Sequence, residues 1–305
     1  MKNIFSLILM WFWGVLYGIG KLFPGPGRNK ANTQRPIAAL KGEHALMLAA
    51  ARRGEVSAQY ALAVCYAEGR EMEQDYGEAA HWFAKAAEQG DANAQYSLGI
   101  CHANGQGVGQ DFEEAVKWFR RAAQQEHAGA QVSLGVCLQR GDGVWDSAGE
   151  AARWFRHAAE RGDATAQVSL AACLQSGTGV RQNLAEAVEW YRKAAEQGVR
   201  EAAFNLGKCY QDGNGTKPDE AEAFRWLMAA AEKKLPQAEY EVALCHHHGR
   251  GTAVDLVEAH QWIGRAAGRG YPGAAAEKEA LDLALAEKEA AKRETEVVSA
   301  KESDF

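Results

Sequence analysis

Six cysteines stand 36 residues apart, at Cys65, Cys101, Cys137, Cys173, Cys209 and Cys245. Thiols could cross-link, hold a metal or cycle between redox states, but this spacing argues against each use. Every Cys fills the same slot of a repeating unit, and packed helices lie about 8–10 Å apart. A disulfide needs Cα atoms within roughly 7 Å. One thiol per unit reads as a small buried filler, and six unpaired thiols fit a reducing compartment. His246-His247-His248 invites a metal. Neighbouring histidines on a helix diverge by about 100°, however, and no Cys, Asp or Glu at 249–252 completes a ligand set. The turns Gly105-Gln-Gly107, Gly141-Asp-Gly143 and Gly177-Thr-Gly179 could cradle phosphate, yet each leads into an acidic first helical turn that repels an anion. No H-E-x-x-H, G-x-S-x-G, S-x-x-K or G-x-x-x-x-G-K-[ST] is present. The expectation is a non-enzyme with no cofactor and no metal.

The elements that carry these residues follow one plan. Trp82, Trp118, Trp154, Trp190, Trp226 and Trp262 are also 36 apart, a period that marks a helical solenoid. In each unit a first helix bears Ala, usually Gln, Leu and Cys; Ala58, Leu62 and Cys65 share one face at i, i+4 and i+7. A glycine turn follows. Then come Asp75, Asp111, Ser147, Asn183, Asp219 and Asp255, each with Glu three residues later, which predicts a capping box in all six copies. The second helix carries Ala115, Trp118, Phe119, Ala122, Ala123 and their counterparts, with the indole expected between the two helices. Lys85, Arg121, His157, Lys193 and Arg265 lie near the negative end of that helix. Gly90, Gly162, Gly198 and Gly270 close four units. Glu126 and Lys234 replace that glycine, so those two turns are expected to adopt another conformation.

The consensus A-x-A-Q-x-x-L-G-x-x-Y-x-x-G-x-G-V-x-x-D-x-x-x-A-x-x-W-Y/F-x-x-A-A-x-x-G, over Glu55–Gly270, resembles the Sel-one-like repeat, a relative of the tetratricopeptide repeat. The resemblance implies an all-α, right-handed α-solenoid of six 36-residue helix–turn–helix repeats, and an adaptor role in multiprotein complexes, often at membranes. The chain departs from the secreted members that carry paired cysteines in each repeat, so their enzymatic associations do not transfer. An exported periplasmic regulator, or a cell-wall or β-lactam hydrolase, is the alternative reading.

Before the repeats, Ile4–Gly20 holds no charge. Its length is near the lower limit of about 17–25 residues for crossing a bilayer. Lys21, Arg28, Lys30, Arg35 and Lys41 follow it, with Lys2 alone before it. Residues 1–22 therefore read as a membrane anchor or uncleaved signal, with the membrane contacted through 4–23. The charge bias places the repeats on the cytoplasmic side of the inner membrane, the periplasm being the alternative. Residues 23–41 read as a flexible linker, 42–54 as an amino-terminal cap helix, 55–270 as the repeats, 271–291 as a carboxyl-terminal cap helix and 292–305 as a charged tail without order. Net charge is −6 and no basic stripe runs along the chain, which excludes a nucleic-acid surface.

If function lies where the repeats differ, the candidates are the slots 57, 61, 64 and 68 and their equivalents. They form one helical stripe expected to be exposed. Stacked units would align it into a groove about 60 Å long. Ile100, Asn104, Val136, Arg140, Lys208, Asp212, Leu244 and His248 mix apolar and polar side chains, as a groove for a protein or extended peptide would.

Overall fold

The computed structural model describes residues 37–70, 72–145 and 147–303, with side-chain surroundings over 45–287 of these. Residues 4–23, expected to contact the membrane, and most of the stretch read as linker lie outside the described residues. Among those described, no helix is long and apolar enough to cross a membrane.

Every described element is a helix, and no strand occurs among the described residues. A first helix, α1 (Ile37–Arg52), precedes six pairs: α2 (Val56–Glu68) with α3 (Tyr76–Glu88), α4 (Ala92–Asn104) with α5 (Phe112–Gln124), and α6 (Ala128–Arg140) with α7 (Ala148–Glu160). Next come α8 (Ala164–Ser176) with α9 (Leu184–Glu196), α10 (Arg200–Asp212) with α11 (Glu220–Glu232), and α12 (Pro236–His248) with α13 (Leu256–Gly268). A long α14 (Ala274–Ser303) closes the chain. Two boundaries differ from the sequence reading. α1 starts at Ile37, inside the stretch read as linker and directly after Pro36, a residue suited to a helix start. α14 runs through the charged stretch expected to lack order, because Ala, Glu and Lys are strong helix formers even without an apolar stripe.

The helices group into two compact units, divided within α8. In each unit consecutive helices pack on one another. The largest fully buried side chains in the first unit are Phe83, Phe119, Phe155, Leu62, Ile100, Leu134 and Leu138; in the second they include Tyr191, Leu206 and Leu227. The residue after each Trp is thus the deeper one. Trp82, Trp190 and Trp262 are buried, but Trp118, Trp154 and Trp226 are only half-buried. The indole is thus core in three copies only, and a step of about 100° to the next position turns the Phe, Tyr, Leu or Ile fully inward in all six.

Glycine turns end the first helices. At Gly105 (φ 68°) the N–H, and that of Gln106 after it, both bond to the Cys101 carbonyl. The closing turns of the second helices correct an expectation. Glu126 (φ 64°) and Lys234 (φ 61°) take the same left-handed conformation as the glycines they replace. They also keep the hydrogen bonds: Glu126 N–H to Ala123 O as Gly90 N–H to Ala87 O. The turn is held by its neighbours, so the side chain bears the strain, typically about 1–2 kcal/mol for a non-glycine residue. Glu126→Gly and Lys234→Gly should each raise stability by about 1 kcal/mol, discounted for the entropy glycine adds to the unfolded chain. Urea denaturation of the two variants checks this, and no gain in either would mean the strain is relieved elsewhere.

Candidate functional site

The start of each second helix shows what occupies the ends that could have bound anions. Asp75, Asp111, Asn183, Asp219 and Asp255 each accept the amide of the Glu three residues on. Ser147 makes no such side-chain bond. The reciprocal half of the capping box is absent as well. The cap amide donates instead to a carbonyl of the preceding first helix, as from Asp111 to His102 O at 2.9 Å and from Asp255 to His246 O at 2.9 Å. That frees the glutamates. Glu78, Glu150 and Glu186 accept the indole N–H of the Trp four residues later. The cation near the helix end lies on the indole ring: Lys85, Arg121, Lys193 and Arg265 sit 4.0–4.6 Å from the centroids of Trp82, Trp118, Trp190 and Trp262. Where Ala229 stands in the fifth copy, Arg225 covers Trp226 from the preceding position.

None of the six cysteines is in a disulfide, and they are buried in every copy but the first, where Cys65 is half-buried. Burial pushes the thiols of Cys101, Cys137, Cys173 and Cys209 up to about 12 and that of Cys245 to about 11. A nucleophile or metal ligand needs the thiolate, so these sites are inert. His246, His247 and His248 lie in the last turn of α12. His246 meets the edge of Phe224, and His247 stacks on His248 and approaches Glu277 at 3.4 Å. Among the described residues no group of three His, Cys, Asp or Glu is disposed to hold a metal.

His127 does have a defined role. Its Nδ1 accepts the Ala130 amide at 3.1 Å, capping α6 as Asp91 and Asp163 cap α4 and α8, and its ring lies 4.5 Å from that of Tyr96. Burial lowers its pKa below the ordinary 6.5. A base whose folded pKa is depressed takes up its proton more readily when unfolded. Stability is therefore lost as pH falls through about 6.5 and toward the folded value. His127→Asp, which matches the neighbouring copies, should flatten that acid slope between about pH 5 and 7. An unchanged slope in thermal melts across this range would show that the acid dependence arises elsewhere.

The candidate stripe must be corrected. Ile100 and Val136 are 0% and 1% exposed, so neither can line an open surface. Lys208, at the same position, reaches Glu241 of the next first helix at 3.4 Å. Asn104 and Leu244 are half-buried, as is Lys208, while Arg140, Asp212 and His248 are exposed. Asn104 and Arg140 belong to the first unit; Lys208, Asp212, Leu244 and His248 belong to the second. The residue that sequence reasoning passed over is Trp145, 95% exposed in the turn before α7. The signal was available: the other copies carry Glu73, Gly109, Arg181, Lys217 and Ala253 there.

A stack of helix pairs with glycine turns, indole–cation pairs and no catalytic constellation among the described residues defines a helical repeat protein. The Sel1 repeat profile matches six consecutive copies, residues 56–91, 92–127, 128–163, 164–199, 200–235 and 236–271. The chain belongs to the Sel1 repeat family, whose members generally mediate protein–protein interaction. It is similar to a protective antigen of uropathogenic Escherichia coli that displays this repeat fold: 34% identity and a TM-score of 0.71, over 78% of this chain and 49% of that one. The chain thus spans about half of that relative's length. A Sel1 repeat protein from Oxalobacter formigenes is 32% identical with a TM-score of 0.64, over 70% of this chain and 85% of that one. Comparison with curated proteins gives no match.

Proposed function

We propose that this protein is a non-catalytic scaffold that holds a protein partner on the faces of its first helices. One observation carries the reading. Asn104, Arg140, Lys208, Asp212, Leu244 and His248 remain at least partly accessible and differ from copy to copy, whereas the Ala and Cys slots beside them repeat. The mixture of charge, amide, imidazole and aliphatic groups suits an extended segment or a helix of a protein partner. Asp212→Arg with His248→Glu should abolish co-purification of the partner with the full chain, while Gln261→Arg on a second helix should not. Equal retention by both variants would remove the first-helix face from consideration.

Residues 4–23 tether the scaffold to the inner membrane, with the repeats on the cytoplasmic side. The charge-free run and the cations that follow it support this. A carboxyl-terminal alkaline phosphatase fusion tests the arrangement. An inactive but membrane-bound fusion is expected, and an active one would place the repeats in the periplasm.

A further inference from the structure

The third copy departs from the others in several ways at once, all within the first unit. In five copies a Lys or Arg of the chain lies on the face of the indole. At Trp154 the equivalent residue is His157, which presents its ring at 64° and 6.4 Å and leaves the indole face open. In the second and fifth copies the cation before the Trp pairs with the Glu three residues back, Lys117 with Glu114 and Arg225 with Glu222. Glu150 is instead taken by Arg120 of the preceding copy and by the Trp154 N–H. Arg153, exposed, pulls on Glu150 only at longer range. Glu150, Arg153, Trp154 and His157 line a cleft of ≈ 290 Å³. Two residues before the cap of the same helix stands Trp145, almost wholly in solvent.

An open indole face, an uncommitted guanidinium and a solvent-exposed Trp make a recurrent kind of anchor, since Trp and Arg dominate binding energy at protein interfaces. The carboxylate that would oppose an incoming anion is neutralised by Arg120, and Arg153 offers a fork for a second carboxylate. We infer that the exposed face of α7 docks an acidic segment of a protein partner, with a carboxylate on Arg153 and an apolar or aromatic side chain on Trp154 and Trp145. This surface is distinct from the first-helix stripe and stands or falls separately from it.

The test is selection of a random dodecapeptide display library on the full chain, followed by affinity measurement of the enriched synthetic peptides. Enriched sequences should place Asp or Glu beside an aromatic or large aliphatic residue. Trp145→Ala and Arg153→Glu, both at exposed positions and checked for folding by circular dichroism, should each weaken binding about tenfold or more. Arg225→Glu, at the equivalent slot of the fifth copy, should leave it unchanged. Basic consensus peptides, no enrichment over the Arg153→Glu protein, or a change of oligomeric state in Trp145→Ala would each overturn the inference. The last outcome would assign the face to a second copy of the chain.

Discussion

Gly107→Ala should destabilise the protein by at least about 3 kcal/mol, whereas Gly90→Ala, one turn earlier, should cost about 1 kcal/mol. Both glycines have positive φ, 75° and 98°, so both substitutions meet the same backbone penalty. Their surroundings separate them. A Cβ on Gly90 would meet nothing within 4 Å. On Gly107 it would stand 1.8 Å from the Tyr76 carbonyl oxygen and 2.2 Å from its carbon. Neither atom is the end of a flexible side chain, so the turn must lift from the start of α3. Gly143, Gly179, Gly215 and Gly251 meet the backbone of the preceding copy in the same way. The second glycine of each turn is therefore a joint between successive units, and nearest-neighbour joints are what couple a repeat array. Urea denaturation gives the energies. Hydrogen exchange should locate the damage around 105–111 and 76–79, and equal losses for the two variants would show that the close approach does not govern stability.

The second large effect lies at the carboxyl-terminal repeat. Gln59, Gln95, Gln131 and Gln167 are buried and donate to a carbonyl of the preceding helix, Ala51, Ala87, Ala123 and Ala159 in turn. Gln89 and Gln125, 30 residues on, close the side-chain oxygens of Gln59 and Gln95 at 2.7 and 2.8 Å. In the sixth copy the same two positions hold Glu239 and Arg269, joined at 3.0 and 3.1 Å, with Glu239 only 1% exposed. Arg269→Ala would leave a buried carboxylate alone, a change that costs about 3–5 kcal/mol for a fully buried pair. Because Arg269 is partly exposed, about 2–3 kcal/mol is expected. Glu239→Gln with Arg269→Gln rebuilds the amide pair of the first copies and should recover most of the loss. A double-mutant cycle reads the coupling directly. If the double variant were as unstable as Arg269→Ala, the two pairs would not be equivalent.

How much of this was legible in the sequence depends on what a 36-residue period can carry. It places Trp, Cys, Gly and the caps in register, and the family follows from those residues. It does not say which of two adjacent residues turns inward, so Trp118 was read as central while Phe119 holds the core. Nor does it show where a freed group goes. The cap amides find carbonyls of the first helix, and the glutamates turn to indoles. The stripe failed at Ile100 and Val136 because helix periodicity within one helix does not show what packs on it from other helices, and both side chains are buried. Their apolar character, beside Val64 and Ala172, was the available sign of burial. Trp145 was missed for the opposite reason: it lies in a turn, outside both helical patterns.

The most direct test of the scaffold reading is photo-crosslinking in intact cells, with the probe at Lys208 on a first helix and, separately, at Gln261 on a second. A discrete protein adduct from position 208 alone is the expected result, and its identity would name the partner and its compartment together. Adducts from neither position, with the protein folded and membrane-bound, would contradict partner binding on the first-helix face.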